Sequence, residues 1–154
     1  MLNIRRMELT DLNYVLKIEK EVFPHSNWSR KAFEIEILSP ISFPLVLILD
    51  NDLIGYIIYN IVQDEAHITN FAIKKEHQNK GFGSILLEFA INNIKNLGVK
   101  SIYLEVRVSN ERALHIYEKF GFKKLYIRKK YYLDTQEDAI VMGLFFNNGI
   151  QRQA

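Results

Sequence analysis

At 154 residues, the chain has the length of one ordinary domain, enough to bury about 70% of the surface its unfolded form exposes. Its 48% hydrophobic and 25% charged residues, with seven Gly and three Pro, exclude disordered, collagen-like and low-complexity classes, and the lack of any Cys excludes a thiol nucleophile, a thiolate-ligated metal site and a disulfide framework. Twenty Lys plus Arg against 18 Asp plus Glu leave a formal charge of +2, too little to imply wholesale binding of a nucleic-acid backbone.

Taken in chain order, Leu2–Arg6 opens as a strand, and Thr10 or Asp11 can cap a helix whose apolar positions are Leu12, Val15, Leu16 and Val22, closed near Pro24. Ser29 caps a second, shorter helix with Phe33 and Ile37 four residues apart, and Pro40 forbids its continuation. Residues 45–49 and 53–62 are strands around Asp50-Asn51-Asp52, which tolerate the positive φ of a tight hairpin. After the polar break at 63–65, residues 67–73 add a third strand. From Gly83 the period changes: Ile85, Leu86, Phe89, Ala90, Ile94 and Leu97 trace a helical stripe that Gly98 ends in a left-handed turn. Residues 100–108 form a strand, expected to run parallel to the 67–73 strand through a right-handed crossover. Ser109 or Asn110 then caps a helix carrying Ala113, Leu114 and Tyr117, a second crossover into a strand over 123–133. A turn at 134–137 leads to a last strand over 139–146. The sequence is thus read as a single domain over 1–146 with a frayed tail over 147–154.

The apolar runs at 43–49 and 53–62 are interrupted and short of the roughly 18 residues a membrane span needs, and the first twelve residues lack a secretory pattern. The expectation is a cytoplasmic protein without membrane contact.

The segment Gln78-Asn79-Lys80-Gly81-Phe82-Gly83-Ser84 sits between a strand and the stripe helix, where free backbone N–H groups and the helix dipole favour an anion. A dinucleotide fingerprint would need Gly at position 86, which is Leu86, and a nucleoside triphosphate loop would need Gly-Lys-Ser or Gly-Lys-Thr. Neither nucleotide motif is present. Glu105 lies in a strand where Ile102, Leu104 and Val106 take one face and Tyr103, Glu105 and Arg107 the other. As strand chemistry it reads as a solvated carboxylate offset by Arg107. Tyr117, on the stripe with Ala113 and Leu114, reads as a core aromatic. The four His residues, at 25, 67, 77 and 115, show no metal-ligand spacing, so no metal is expected.

The Gln-x-x-Gly-x-Gly loop after Thr69-Asn70-Phe71-Ala72-Ile73, with Leu104-Glu105-Val106-Arg107-Val108-Ser109-Asn110, Tyr117-Glu118-Lys119-Phe120-Gly121-Phe122 and Arg128-Lys129-Lys130-Tyr131-Tyr132, resembles the GNAT acetyltransferases. Within them it is most similar to the RimI type, which acetylates the N-terminal alanine of a ribosomal protein. The resemblance runs from Arg5 to Met142. It implies an α/β GNAT fold, a mixed, mostly antiparallel sheet flanked by helices, splayed between the 69–73 and 100–108 strands to admit acetyl-CoA as co-substrate. It further implies that the cofactor's pyrophosphate rests on Gln78, Asn79, Lys80, Gly81, Phe82, Gly83 and Ser84, its pantetheine arm on the backbone of Phe71, Ala72 and Ile73, and a further contact on Asn110, which as sequence chemistry reads equally as a helix cap. By the same resemblance Glu105 is the general base that frees the acceptor amine, and Tyr117 the general acid that protonates the leaving sulfur. The acceptor is then a protein N-terminus, with acetylation of a lysine side chain or small amine, or an inactive acyl-CoA-binding module, as the alternatives. A monomer is the default state. The basic run at Lys123, Lys124, Arg128, Lys129 and Lys130 is expected to divide between two faces by strand alternation rather than form a nucleic-acid patch. Tyr131 or Tyr132, and Trp28, are candidates to line the acceptor groove.

Overall fold

A computed structural model describes residues 1–146, so the expected frayed tail at 147–154 lies outside the described residues. Seven strands, β1 (Leu2–Arg6), β2 (Ser42–Leu49), β3 (Asp52–Val62), β4 (Glu65–Ile73), β5 (Ser101–Arg107), β6 (Lys123–Tyr132) and β7 (Glu137–Phe145), accompany helices α1 (Leu12–Val22), α2 (Arg30–Leu38), α3 (Phe82–Asn96) and α4 (Glu111–Lys119). The strand order is β1-β2-β3-β4-β5-β7-β6. This is a mixed, mostly antiparallel α/β sheet. Contacts gather into two compact units, Met1–Asn60 with Ile68–Ala90, and Ile61–His67 with the chain from Ile91 onward. Among the described residues no helix is long and apolar enough to cross a membrane.

In the first unit, β2 pairs antiparallel with both β1 and β3. The hairpin turns where expected, with Asp50 and Asn51 at φ of 49° and 73°. Leu12, Val15 and Ile18 of α1 are buried against Phe33, Val46, Tyr56 and Ile58. The start of α1 differs from expectation. A 3-10 turn over Leu9–Asp11 precedes it, and Asp11 makes no side-chain cap to α1. The Asp11 carboxylate instead accepts the Glu8 backbone N–H at 2.7 Å and both guanidinium nitrogens of Arg5 at 2.8 Å, which holds it below its ordinary pKa. Ser29 caps α2 as expected, its Oγ accepting the Ala32 N–H at 3.1 Å.

Glu19 is the residue in this unit that the sequence does not announce. At 1% exposure, its carboxylate accepts the Tyr56 hydroxyl, the Asn70 amide at 3.0 Å and the Trp28 backbone N–H at 2.8 Å. Burial and the adjacent carboxylate push the Tyr56 phenol far above its ordinary pKa, so it donates permanently. Trp28 packs its ring at 5.1 Å from Phe33 and belongs to the edge of this core.

The second unit holds the parallel pair: β4 meets β5 at Glu65↔Ser101, Ala66↔Ile102 and His67↔Tyr103. The expected second crossover skips a place. β7 pairs antiparallel with β5 from Ser101↔Phe145 to Arg107↔Ala139, and β6 pairs with the far side of β7. The short link between β6 and β7 forces a hairpin, and the apolar strand, with Ala139, Ile140, Val141 and Met142 buried, takes the inner position. The exposed β6 is left outside. Register shifts at Lys124/Tyr126 and Arg128/Tyr132 also interrupt β6, so the strict two-face division expected of its charges does not hold.

Gly55 on β3 is fixed by close approach: a Cβ there would lie 2.6 Å from Ile73 Cδ1 and 2.9 Å from the Ala72 carbonyl oxygen. Because one of those neighbours is backbone, Gly55→Ala should cost about 1–3 kcal/mol, the usual scale of overpacking. Urea denaturation followed by circular dichroism measures it as a lower midpoint with an unchanged slope.

Candidate active site

β5 carries the polar residues of the second unit's candidate site. Its apolar residues Ile102, Leu104 and Val106 are buried, while Tyr103, Glu105 and Arg107 are half-buried on the opposite face. Glu105 is not offset by Arg107. Its Oε1 lies 2.7 Å from Nε2 of His67, the residue that pairs with Tyr103 one step back along the ladder. A carboxylate oxygen accepts hydrogen bonds, so in this pair the imidazole donates from Nε2.

Arg107 turns elsewhere. Its guanidinium donates to Asp134 Oδ1 and Oδ2 at 3.1 and 2.9 Å, to Thr135 at 3.1 Å and to Glu137 at 3.5 Å, and lies 4.1 Å from the centroid of the Tyr132 ring. The bond from Arg107 holds Asp134 below its ordinary pKa. Glu137 is held low first by its hydrogen bond from Ser109, whose N–H it accepts at 2.8 Å, and then by Arg107. This clamp fixes the β6–β7 turn and with it Tyr132. Burial pushes the Tyr132 phenol up to about 12 against the pull of Arg107, and Tyr132 lies within electrostatic range of both Glu105 and Tyr117.

Tyr117 on α4 is 7% exposed, its ring 5.6 Å from that of Phe122. Burial first, then Tyr132, raises its phenol above the ordinary value of 10, so it stays protonated through the neutral range. Asn110 caps α4, its Oδ1 accepting the Ala113 N–H at 3.1 Å, which realises the structural role its position allowed.

In the first unit, β4 ends at Ile73 with Ala72 and Ile73 buried and Phe71 half-buried. Gln78 donates from its side-chain amide to the Ile73 carbonyl at 2.8 Å, tying the loop back to the strand. Asn79 and Gly81 take positive φ, 63° and 91°, and a Cβ built on Gly81 would meet nothing within 4 Å. The backbone there faces open space at the point where α3 begins at Phe82, with Lys80 exposed beside it. Such a loop suits a diphosphate, because the N–H groups of the first turn of α3 lack helical acceptors. Among the described residues, no three His, Asp or Glu are grouped to hold a metal ion.

Sequence reasoning singled out Glu105, Tyr117, Asn110 and the loop, but passed over His67 as a partner and Glu19 altogether. The signal for His67 was the parallel register of β4 and β5, which spacing alone does not fix.

The strand order and the loop at the start of α3 define an acyl-transfer fold. An Escherichia coli ribosomal-protein-S18-alanine N-acetyltransferase of known crystal structure superposes with a TM-score of 0.87 at 34% identity, covering 96% of this chain and 98% of that one. A Bacillus subtilis protein described as a candidate [ribosomal protein bS18]-alanine N-acetyltransferase is 40% identical over 145 residues, covering 94% of this chain and 95% of its own length. An Escherichia coli K12 [ribosomal protein bS18]-alanine N-acetyltransferase is 36% identical over 149 residues, with 94% and 97% covered. Residues 12–122 match the acetyltransferase (GNAT) family, and the chain belongs to that family, whose acetyl donor is acetyl-CoA.

The Arg107 clamp yields a test of its own. Arg107→Lys loses the planar fork and the stacking on Tyr132, and should lower Tm by a few degrees at neutral pH. Asp134 and Glu137 are depressed in the folded state, so their contribution is present above the ordinary carboxylate range and is lost as pH falls through their lowered values. The Tm gap between wild type and variant, followed by calorimetry from pH 7 downward, should therefore narrow in acid.

Proposed function

We propose that the chain is an N-terminal alanine N-acetyltransferase that moves the acetyl group of acetyl-CoA directly to the α-amine of a ribosomal protein, with the bS18 type of acceptor named by its relatives. The observation that carries this reading is the end-to-end likeness, 36–40% identity over 94% of the chain, to proteins described by that reaction. In this reading residues 1–146 act as one catalytic domain, and the cytoplasm, where ribosomal proteins are made, is the place of action.

The chain's own groups fit the task. Gln78, Asn79, Lys80, Gly81, Phe82, Gly83 and Ser84 would hold the pyrophosphate of acetyl-CoA, and the open backbone at Gly81 supports that placement. Phe71, Ala72 and Ile73 would receive the pantetheine arm as an added strand. Asn110, whose side chain caps α4, would add a further contact to the cofactor. Bound acetyl-CoA supplies an acetyl group activated as a thioester. Glu105 takes a proton from the acceptor ammonium, which has no lone pair until it loses one. An α-amine, with a reference pKa near 8 against about 10.4 for Lys, asks less of that carboxylate. Tyr117 holds a proton at Oη for the departing sulfur, and the raised phenol keeps that proton available at working pH. No covalent enzyme intermediate is needed, since holding the two reactants together supplies much of the acceleration.

A peptide library offered with acetyl-CoA and read by mass spectrometry should show acetylation at alanine-starting termini and not at internal lysines or polyamines. Modification of lysines alone would refute the N-terminal assignment while leaving the family unchanged.

The two catalytic roles separate with pH. Glu105→Gln should lower kcat roughly 100-fold or more and recover in part as alkali deprotonates the amine, whereas Tyr117→Phe should lower kcat without that recovery. A Glu105→Gln enzyme with wild-type kcat at pH 7 would reduce the carboxylate to a surface group.

A further inference from the structure

We propose that His67 is a positioning residue for the Glu105 carboxylate. The inference rests on the reading of Glu105 as the general base. It starts from geometry: the parallel ladder sets His67 opposite Tyr103, so side chains at 67, 103 and 105 leave the same face, and the imidazole reaches diagonally to Glu105 at 2.7 Å. The Glu105 side chain is 15% exposed and the His67 side chain 44%, so the bond joins a sheltered carboxylate to a ring in contact with solvent.

The other charged neighbours do not take this role. Arg107, next on the same face of β5, is engaged by Asp134 and Glu137. Tyr132, reaching in from the end of β6, is coupled to Glu105 electrostatically, but burial raises its phenol, so it brings no charge at neutral pH. A glutamate on an open strand face has several rotamers, and a base must stand within hydrogen-bond reach of the proton it removes. The imidazole bond to Oε1 selects one rotamer and leaves Oε2 for the acceptor.

The choice of histidine also matters. A lysine or arginine in this place would anchor the carboxylate but stabilise its charge and weaken it as a base. A histidine anchors it through a single N–H and places no permanent cation against the carboxylate.

The experiment is a cycle of four variants in the purified enzyme, assayed with acetyl-CoA and an alanine-starting peptide. His67→Leu should lower kcat on the order of tenfold or more, with KM for acetyl-CoA and Tm near wild type, because the side chain is half exposed and the change is one of alignment. His67→Gln, which keeps an N–H donor at the position of Nε2, should restore kcat to within about threefold. The double variant His67→Leu/Glu105→Gln should be no slower than Glu105→Gln alone, since the imidazole acts only through the carboxylate. A slow Glu105→Gln beside a His67→Leu at wild-type kcat would overturn the positioning role and leave the base standing. A His67→Gln as slow as His67→Leu, or a double variant with fully additive losses, would overturn it as well. A wild-type kcat in Glu105→Gln would instead remove the base assignment on which the inference rests.

Discussion

A strand whose two faces have different duties governs the second unit. β5 gives Ile102, Leu104 and Val106 to the core, and this burial fixes its register against β7 from Ser101↔Phe145 to Arg107↔Ala139. A slip of one residue would expose the apolar set and bury Glu105 and Arg107, so the hydrophobic effect enforces the placement of the polar face. Each residue on that face then has a separate partner: Tyr103 the ring of Phe145, Glu105 the imidazole of His67, Arg107 the carboxylates of the β6–β7 turn. The Glu105 carboxylate is left in contact with an imidazole N–H, and the Arg107 guanidinium beside it is engaged by two other acids.

The first unit solves a related problem by burial. Placing Glu19 at the centre of a core would carry a large desolvation cost if it stood alone. Three donors from α1's own continuation, β3 and β4 close on it, so the carboxylate fixes the distance between segments far apart in sequence. The polar contact also constrains Asn70, three residues before the end of β4, and hence the strand that leads into the Gln78 loop. Gly55, pressed against Ala72 and Ile73, fixes the same strand from the neighbouring side by steric contact.

What the sequence makes legible is local. The Asp50-Asn51 hairpin, the Ser29 cap, the Gly98 turn and the stripe of α3 each depend on residues within a few positions of one another. Glu105 and Tyr117 were visible because a short stretch of chain carries the family likeness around them. Four features were not visible, and each depends on distance. β7 enters between β5 and β6 because a later strand is more apolar than an earlier one, a comparison no window along the chain makes. Asp11 serves Arg5 and Glu8 rather than its own helix because β1 brings the guanidinium to it. His67 meets Glu105 only once a parallel register exists, and Glu19 reads as an ordinary polar position until Tyr56 and Asn70 arrive from β3 and β4.

The position of β6 has a consequence for how copies of the chain behave together. It is the last strand in the order, ten residues long and exposed along almost its whole length, with Leu125, Tyr126 and Ile127 facing water. An edge of that kind is a template on which a second molecule could add a strand. Two interruptions of the ladder, a left-handed kink at Lys130 (φ 49°) and the cations Lys123, Lys124, Arg128, Lys129 and Lys130 make the template a poor one. With a net charge of only +2, the molecule has little general repulsion to keep copies apart. On this edge backbone geometry and local charge together oppose stacking, and added salt weakens only the second of these.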